Sequence, residues 1–169
     1  MTDDTMDDTP HIKALADAVP ALDLHPRWVW TAVVDVAARE PLGRSGRGER
    51  FIVPILGGLF WGAPGFEQFH GQVRAGGADR QVVRADGIKE LDALYEMQTH
   101  DGAVITIHNQ VTVDEAVMPE RYAMSVIRVT APQGPHDWLN RRLFVGTLQT
   151  LRPARQAVLI RGYLAQTAG

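Results

Sequence analysis

Residues 91–111 read LDALYEMQTHDGAVITIHNQV and contain two runs of alternating side chains, one on either side of Asp101-Gly102. Alternate residues of a β-strand share a face, and each run places mostly apolar residues on one face. Asp-Gly favours the tight turn of a hairpin, because Gly tolerates positive φ and Asp tolerates it better than most residues do. The segment therefore predicts an antiparallel β-hairpin.

The same pattern continues on both sides of this hairpin. Short runs rich in Val, Ile, Phe, Trp and Thr are separated by Gly, Pro and Asp-Gly turns, which is the spacing of an all-β domain. The predicted strands are residues 28–36, 50–56, 59–61, 69–74, 80–84, 91–98, 104–111, 122–130, 143–148 and 156–163. Because an open meander leaves two exposed edges, we predict an all-β antiparallel meander closed into a small barrel of about eight strands, with a sandwich as the alternative.

The N-terminal segment differs from this pattern. Residues 1–10 carry four aspartates and no basic residue, and the next residues, 11–18, have weak helical character. We predict a flexible acidic extension with a short helix packed outside the barrel over residues 1–26, and a single barrel domain over residues 27–169.

Composition excludes several classes of function. The chain has no cysteine, which removes disulfides, thiolate chemistry and Cys-type zinc sites. The acidic start is the opposite of a signal peptide, and no apolar run is long enough to span a bilayer, so we expect a soluble, cytoplasmic protein without a membrane partner. The formal net charge of −3 gives no general attraction to phosphates, so nucleic acid is not an expected partner.

Four polar residues are predicted to face the barrel interior. The arginines of residues 80–84 share one strand face, which leaves Asp79 and Gln81 on the other. Tyr95 and Asn109 each lie on the more apolar face of their predicted strand. The interior of the barrel would therefore contain a carboxylate, two amides and a phenol.

Asp79 has two interpretations. A buried carboxylate must be hydrogen-bonded, charge-paired, protonated or functional, because burial without a partner is expensive. Asp79 directly follows Gly76-Gly77-Ala78, and an Asp after glycines often accepts backbone N–H bonds and organises a turn. Both the functional and the structural role remain open at this point.

No strong catalytic or metal-binding signature is present. The chain lacks a cupin-like pair of histidines, His-Glu-x-x-His, a P-loop and a nucleophile elbow. The histidines within the predicted barrel core are scattered singly: His70, His100, His108 and His136. We therefore predict no metal site and no tightly bound cofactor.

The four tryptophans either line a cavity or fill the core: Trp28, Trp30, Trp61 and Trp138. Trp138-Leu139-Asn140 is predicted to begin a strand, which would place Trp138 and Asn140 on one face as ligand-binding residues. In the alternative, Asn140 satisfies loop backbone and Trp138 covers one end of the barrel.

Short motifs follow one another in a fixed order between Trp28 and Tyr163. They are Gly48-Glu49-Arg50, Val53-Pro54-Ile55-Leu56-Gly57-Gly58, Gly71-Gln72-Val73, Gly76-Gly77-Ala78-Asp79, Asp86-Gly87, Glu90-Leu91-Asp92-Ala93, Asp101-Gly102, Leu139-Asn140-Arg141 and Phe144-Val145-Gly146. This ordered set resembles the family called domain of unknown function 3237 (DUF3237). The resemblance implies a compact β-barrel, often a stand-alone protein in bacteria and fungi, and supplies no general activity.

These residues lead to one leading hypothesis and two alternatives. We predict an enzyme that binds a small, mainly apolar, oxygenated metabolite in the barrel and performs cofactor-independent proton transfer, such as isomerisation, cyclisation or hydration. Asp79 would be the catalytic acid or base, and the ligand-binding residues would be Gln81, Tyr95, Asn109, Trp138 and Asn140.

The first alternative is a non-catalytic carrier or sensor of a lipophilic small molecule. The second is a filled barrel that acts through its surface, for instance as a homo-oligomer.

Overall fold

A computed structural model describes residues 8–168 of the chain. The strands are β1 (Leu24–Val36), β2 (Glu40–Ser45), β3 (Gly48–Gly62), β4 (Gly71–Val73), β5 (Ala78–Val83), β6 (Lys89–Thr99), β7 (Val104–Asp114), β8 (Tyr122–Thr130), β9 (Phe144–Thr150) and β10 (Ala157–Thr167). Helix α1 (Thr9–Asp17) precedes them, and a 3₁₀ helix (Asp137–Arg141) lies between β8 and β9.

Eight of the strands close into a barrel. They pair in the order β1, β10, β9, β8, β7, β6, β5, β3, and antiparallel pairing of β3 with β1 completes the circle. The short β4 lies beyond one end of β5 and, like β5, bridges β3 and β6. The remaining strand, β2, forms a hairpin with β3. The predicted closed antiparallel barrel is therefore confirmed.

Strand β3 differs from its prediction as two separate strands, 50–56 and 59–61. Gly57 and Gly58 have φ of 147° and 139°, and β3 continues through both of them. A Cβ on Gly58 would lie 1.9 Å from the carbonyl oxygen of Val33 on β1, so only glycine permits this approach. Residues 40–45 were not predicted as a strand, because β2 is almost wholly exposed and lacks the alternation of a half-buried strand.

One half of the barrel interior is solid. Trp30, Phe60, Phe69 and Phe144 form an aromatic plug in which each side chain is at most 5% exposed. The ring of Trp30 meets those of Phe144 and Phe69 edge-on, with centroids 5.3 and 6.0 Å away. Edge-to-face pairs of this kind are a favoured arrangement of aromatic rings. We call the plugged half of the barrel its lower half.

The N-terminal helix is present but separate from this core. Helix α1 has no buried side chain, so it adds nothing to the packing of the barrel. Strand β1 begins at Leu24, and residues 1–7 of the predicted acidic start, residues 1–10, lie outside the described residues. Neither helix within residues 8–168 has the length and apolar character needed to cross a membrane.

Candidate functional site

The upper half of the barrel contains a cavity of about 750 Å³. Most of its wall is apolar, with side chains that include Val34, Ile55, Leu91, Val111, Val158 and Ile160. Small-molecule sites typically measure about 300–1,000 Å³ and have mainly apolar walls with a few polar groups. The upper half of the barrel therefore contains a cavity in this size range, whereas the lower half is filled by side chains.

Three neighbouring strands place polar residues in one row across the cavity wall. Asp79 on β5 is paired with Ala93 on β6, which is paired with Asn109 on β7. With strands about 4.8 Å apart, the Cα atoms of Asp79 and Asn109 are separated by about 10 Å. The small side chain of Ala93 lies between them on the cavity wall, and Tyr95 follows on the same face of β6.

Asp79 has one bonded and one free carboxylate oxygen. Its Oδ2 atom accepts a hydrogen bond of 2.7 Å from Nε2 of Gln81. Its Oδ1 atom is buried and has no hydrogen-bond partner among the described residues. Burial raises the pKa of Asp79 above its ordinary value; the hydrogen bond from Gln81 and a weaker interaction with the backbone N–H of Asp92 partly oppose this rise, and the charge of Asp92 adds to it. The glycine turn before Asp79 does not engage these oxygens, so the structure gives no support for a turn-organising role.

Tyr95 and Asn109 also carry unpartnered polar atoms. Tyr95 is 3% exposed and Asn109 is 2% exposed, yet the Tyr95 hydroxyl and Asn109 Oδ1 have no hydrogen-bond partner within residues 8–168. Burial and the nearby charge of Asp79 raise the pKa of Tyr95, so its hydroxyl keeps its proton at neutral pH. A Cβ on Gly77 would lie 2.6 Å from Cβ of Tyr95, so glycine lets the start of β5 approach this tyrosine.

The cavity concentrates unpartnered polar atoms. In the described part of the chain, six buried side-chain atoms lack a partner, and three of them belong to residues that line this cavity, namely Asp79, Tyr95 and Asn109. Most buried polar atoms in proteins are hydrogen-bonded, and leaving one unpaired costs about 1–3 kcal/mol. Together the three atoms offer one donor, the Tyr95 hydroxyl, and two acceptors, Asp79 Oδ1 and Asn109 Oδ1.

The rim of the cavity is charged, a feature that the sequence analysis missed. We call Arg39, Lys89, Arg121 and Arg152 the cationic mouth; Glu115 is the carboxylate beside them. These residues come from the ends of different strands and from their connections. A signal was present in the sequence, because alternate connections of an antiparallel meander lie at the same end of the barrel. Grouping the charges of alternate connections would have brought several of these residues together.

Trp138 and Asn140 do not join this site. Residues Asp137–Arg141 form a 3₁₀ helix at the lower end of the barrel, so the predicted strand start is wrong. The side chain of Asn140 accepts a hydrogen bond of 2.8 Å from the backbone N–H of Ala131 and donates one of 2.9 Å to the carbonyl oxygen of Ala131. Trp138 stacks on Phe66 with ring centroids 5.8 Å apart. Both residues close the plugged end, as the structural alternative for them supposed.

The other tryptophans also lie away from the cavity. Trp30 belongs to the aromatic plug, whereas Trp28 and Trp61 are 38% and 45% exposed. The structure thus brings four of the six predicted site residues to the cavity: Asp79, Gln81, Tyr95 and Asn109.

The family model described as protein of unknown function (DUF3237) matches residues 25–164. The chain belongs to the DUF3237 family. A UPF0311 protein of Rhodopseudomonas palustris is 32% identical over 137 residues, which cover 73% of this DUF3237 chain and 87% of that protein. The predicted family membership is therefore confirmed.

Solved structures of similar proteins have the same barrel. The crystal structure of a conserved protein of unknown function from R. palustris has a TM-score of 0.75 at 30% identity, covering 88% of this DUF3237 chain and all of that one. An enzyme from Penicillium herquei has a TM-score of 0.68, covering 88% of this chain and 98% of that one. Its identity to this chain is 20%, so the likeness is one of fold alone.

The raised pKa of Asp79 predicts how stability changes with pH in this DUF3237 barrel. Below the ordinary aspartate pKa of 3.8, Asp79 is protonated in both the folded and the unfolded chain. As the pH rises through the raised folded pKa, ionisation favours the unfolded chain. Asp79→Asn cannot ionise, so we expect its Tm to rise relative to that of wild type as the pH goes from below 3.8 to neutral.

Thermal melts of both proteins across this pH range provide the measurement. Asp17→Asn, on the exposed face of α1, is the matched control and should show no such gain. If Asp79→Asn instead melts well below wild type at neutral pH, the carboxylate stabilises the fold and its role is structural.

Proposed function

We propose that this DUF3237 protein binds a small, mainly apolar, oxygenated metabolite in the upper cavity and catalyses cofactor-independent proton transfer on it. The observation that supports this proposal is that three residues lining one apolar cavity, Asp79, Tyr95 and Asn109, each carry a buried polar atom without a hydrogen-bond partner in the described part of the chain. A solved structure of the same fold, that from P. herquei, is described as an enzyme. Isomerisation, cyclisation and hydration are the reaction classes that fit.

Each residue would have a distinct part in the reaction. Ionised Asp79 takes a proton from a C–H or O–H bond of the substrate through its free Oδ1 and later returns it to a different substrate atom. Gln81 holds the other oxygen in place through the hydrogen bond to Oδ2. Neutral Tyr95 donates a hydrogen bond to the oxygen on which negative charge develops, and Asn109 orients the substrate. Burial raises the pKa of Asp79, which makes its carboxylate a stronger base than a free one.

A neutral, colorimetric probe tests this proposal without the natural substrate. The base-catalysed ring opening of 5-nitrobenzisoxazole requires one proton abstraction from carbon and releases a coloured phenolate. We expect the wild-type protein to accelerate it, because an ionised carboxylate in an apolar cavity is well suited to this step. The rate should rise with pH and level off, with a midpoint above the ordinary aspartate pKa of 3.8.

Absorbance of the released phenolate, followed across a pH series, gives the rate. A rate no higher than that of an equal concentration of acetate would contradict the proposal.

A further inference from the structure

The mouth of the cavity has a charge opposite to that of the whole chain. Four cationic side chains line the cavity at this end, against the single carboxylate of Glu115. The complete chain has a formal net charge of −3, so the cations at the mouth are not part of a general excess. Such a local field draws anions toward the opening of the cavity.

Two of the cations share one carboxylate. Glu115 Oε1 lies 2.7 Å from Nζ of Lys89 and 3.4 Å from Nη1 of Arg121. The side chains of Lys89 and Arg121 are 28% and 33% exposed. One negative charge therefore faces two positive charges in this cluster, which keeps a net charge of +1.

The other two cations have no carboxylate partner. Within residues 8–168, no carboxylate lies within ion-pair distance of Arg39 or Arg152. The guanidinium of Arg39 lies 4.0 Å above the ring centroid of Phe51. This contact holds the guanidinium over the ring, and its N–H groups have no carboxylate partner among the described residues.

We infer that the ligand of this cavity is an organic anion whose oxyanion binds at Arg39 and Arg152, an inference that rests on the proposed ligand site. Planar oxyanions such as carboxylates match the forked donors of arginine, and the bonds are charge-assisted. The apolar wall below the mouth requires an apolar body behind the anionic group. A cavity of about 750 Å³ admits a small molecule and not a macromolecule.

The orientation of the ligand follows from strand β6. Lys89 at the mouth and Tyr95 deep in the cavity lie on one face of this strand, about 20 Å apart along it at the usual rise per residue. The anionic group therefore stays at the mouth, and a hydroxyl or carbonyl oxygen reaches Tyr95 and Asp79. Substrates of this class are amphipathic acids with a second oxygen function.

Two fluorescent probes with similar aromatic bodies test the inference. 8-Anilinonaphthalene-1-sulfonate is anionic, and N-phenyl-1-naphthylamine is its neutral counterpart without the sulfonate. We expect both to bind the wild-type chain. In Arg39→Gln/Arg152→Gln the anionic probe should bind about tenfold more weakly, whereas the affinity of the neutral probe should stay within about twofold of wild type.

Three controls locate the effect. Arg128→Gln/Arg142→Gln removes the same charge from residues that do not line the cavity, and it should leave both affinities unchanged. Ala93→Trp, which fills the space between Asp79 and Asn109, should weaken both probes if they bind in the cavity. Added salt should weaken the anionic probe more than the neutral one, because exposed charges are screened.

The outcomes separate this inference from the proposed site. If the mouth variant binds both probes as wild type does, or loses both equally, the inference is overturned while the ligand site stands. If the anionic probe still binds Ala93→Trp with wild-type affinity, it binds elsewhere and the inference is also overturned. If neither probe binds the wild-type chain, the proposed ligand site fails together with the inference.

Discussion

Asp79→Asn is expected to slow the ring opening of 5-nitrobenzisoxazole by about 10²–10⁴-fold relative to wild type, which is the usual contribution of a positioned general base. Asparagine is nearly isosteric with aspartate, and its side-chain oxygen can still accept the hydrogen bond that Gln81 donates. The variant therefore loses the base while it keeps the shape of the cavity. Initial rates measured at a pH on the plateau of the wild-type profile give this ratio.

Affinity for the neutral naphthylamine probe is the control for this experiment, and it should be similar in wild type and Asp79→Asn. An unchanged rate in the variant would exclude Asp79 as the base. A wild-type protein that binds the probe but has no rate would favour the carrier or sensor, in which the same polar groups only orient a ligand. Loss of the rate together with loss of binding and a lower Tm would show a structural role.

Alternation along the strands made much of this site predictable. The rule that alternate residues share a face placed Asp79, Tyr95 and Asn109 in the interior, and the structure places them in one cavity wall. The rule succeeds here because β5, β6 and β7 pair continuously over these residues, without a shift in register. A bulge in β6 or β7 would have reversed the assignment.

Other features depend on contacts that alternation does not describe. The prediction that a strand begins at Trp138 is wrong, because residues Asp137–Arg141 form a 3₁₀ helix. In this helix Asn140 is hydrogen-bonded to the backbone of Ala131, and Trp138 stacks on Phe66. The prediction that β3 is broken at Gly57-Gly58 is wrong, because two glycines with positive φ can also lie inside a continuous strand. The division into a solid and a hollow half depends on which side chains meet across the barrel, which strand patterns alone do not specify.

Ala93→Trp is expected to weaken binding of the neutral naphthylamine probe by at least about tenfold, a loss of about 1.4 kcal/mol or more. Ala93 lies between Asp79 and Asn109 in the row across β5, β6 and β7, so an indole at this position occupies the space proposed for the ligand. Because Ala93 lines the cavity, the indole can extend from β6 into it. The Tm of the variant should therefore stay close to that of wild type, and fluorescence titration measures the affinity.

Leu94→Trp is the matched control, since this neighbouring residue is 53% exposed on the outer face of the same strand. It should leave both binding and Tm unchanged.

A solid interior would give a different result for Ala93→Trp, because overpacking a filled core typically destabilises a protein by about 1–3 kcal/mol. A large fall in Tm would thus show that no open space exists beside Ala93. Wild-type affinity in a folded Ala93→Trp protein would instead show that the ligand binds outside the barrel.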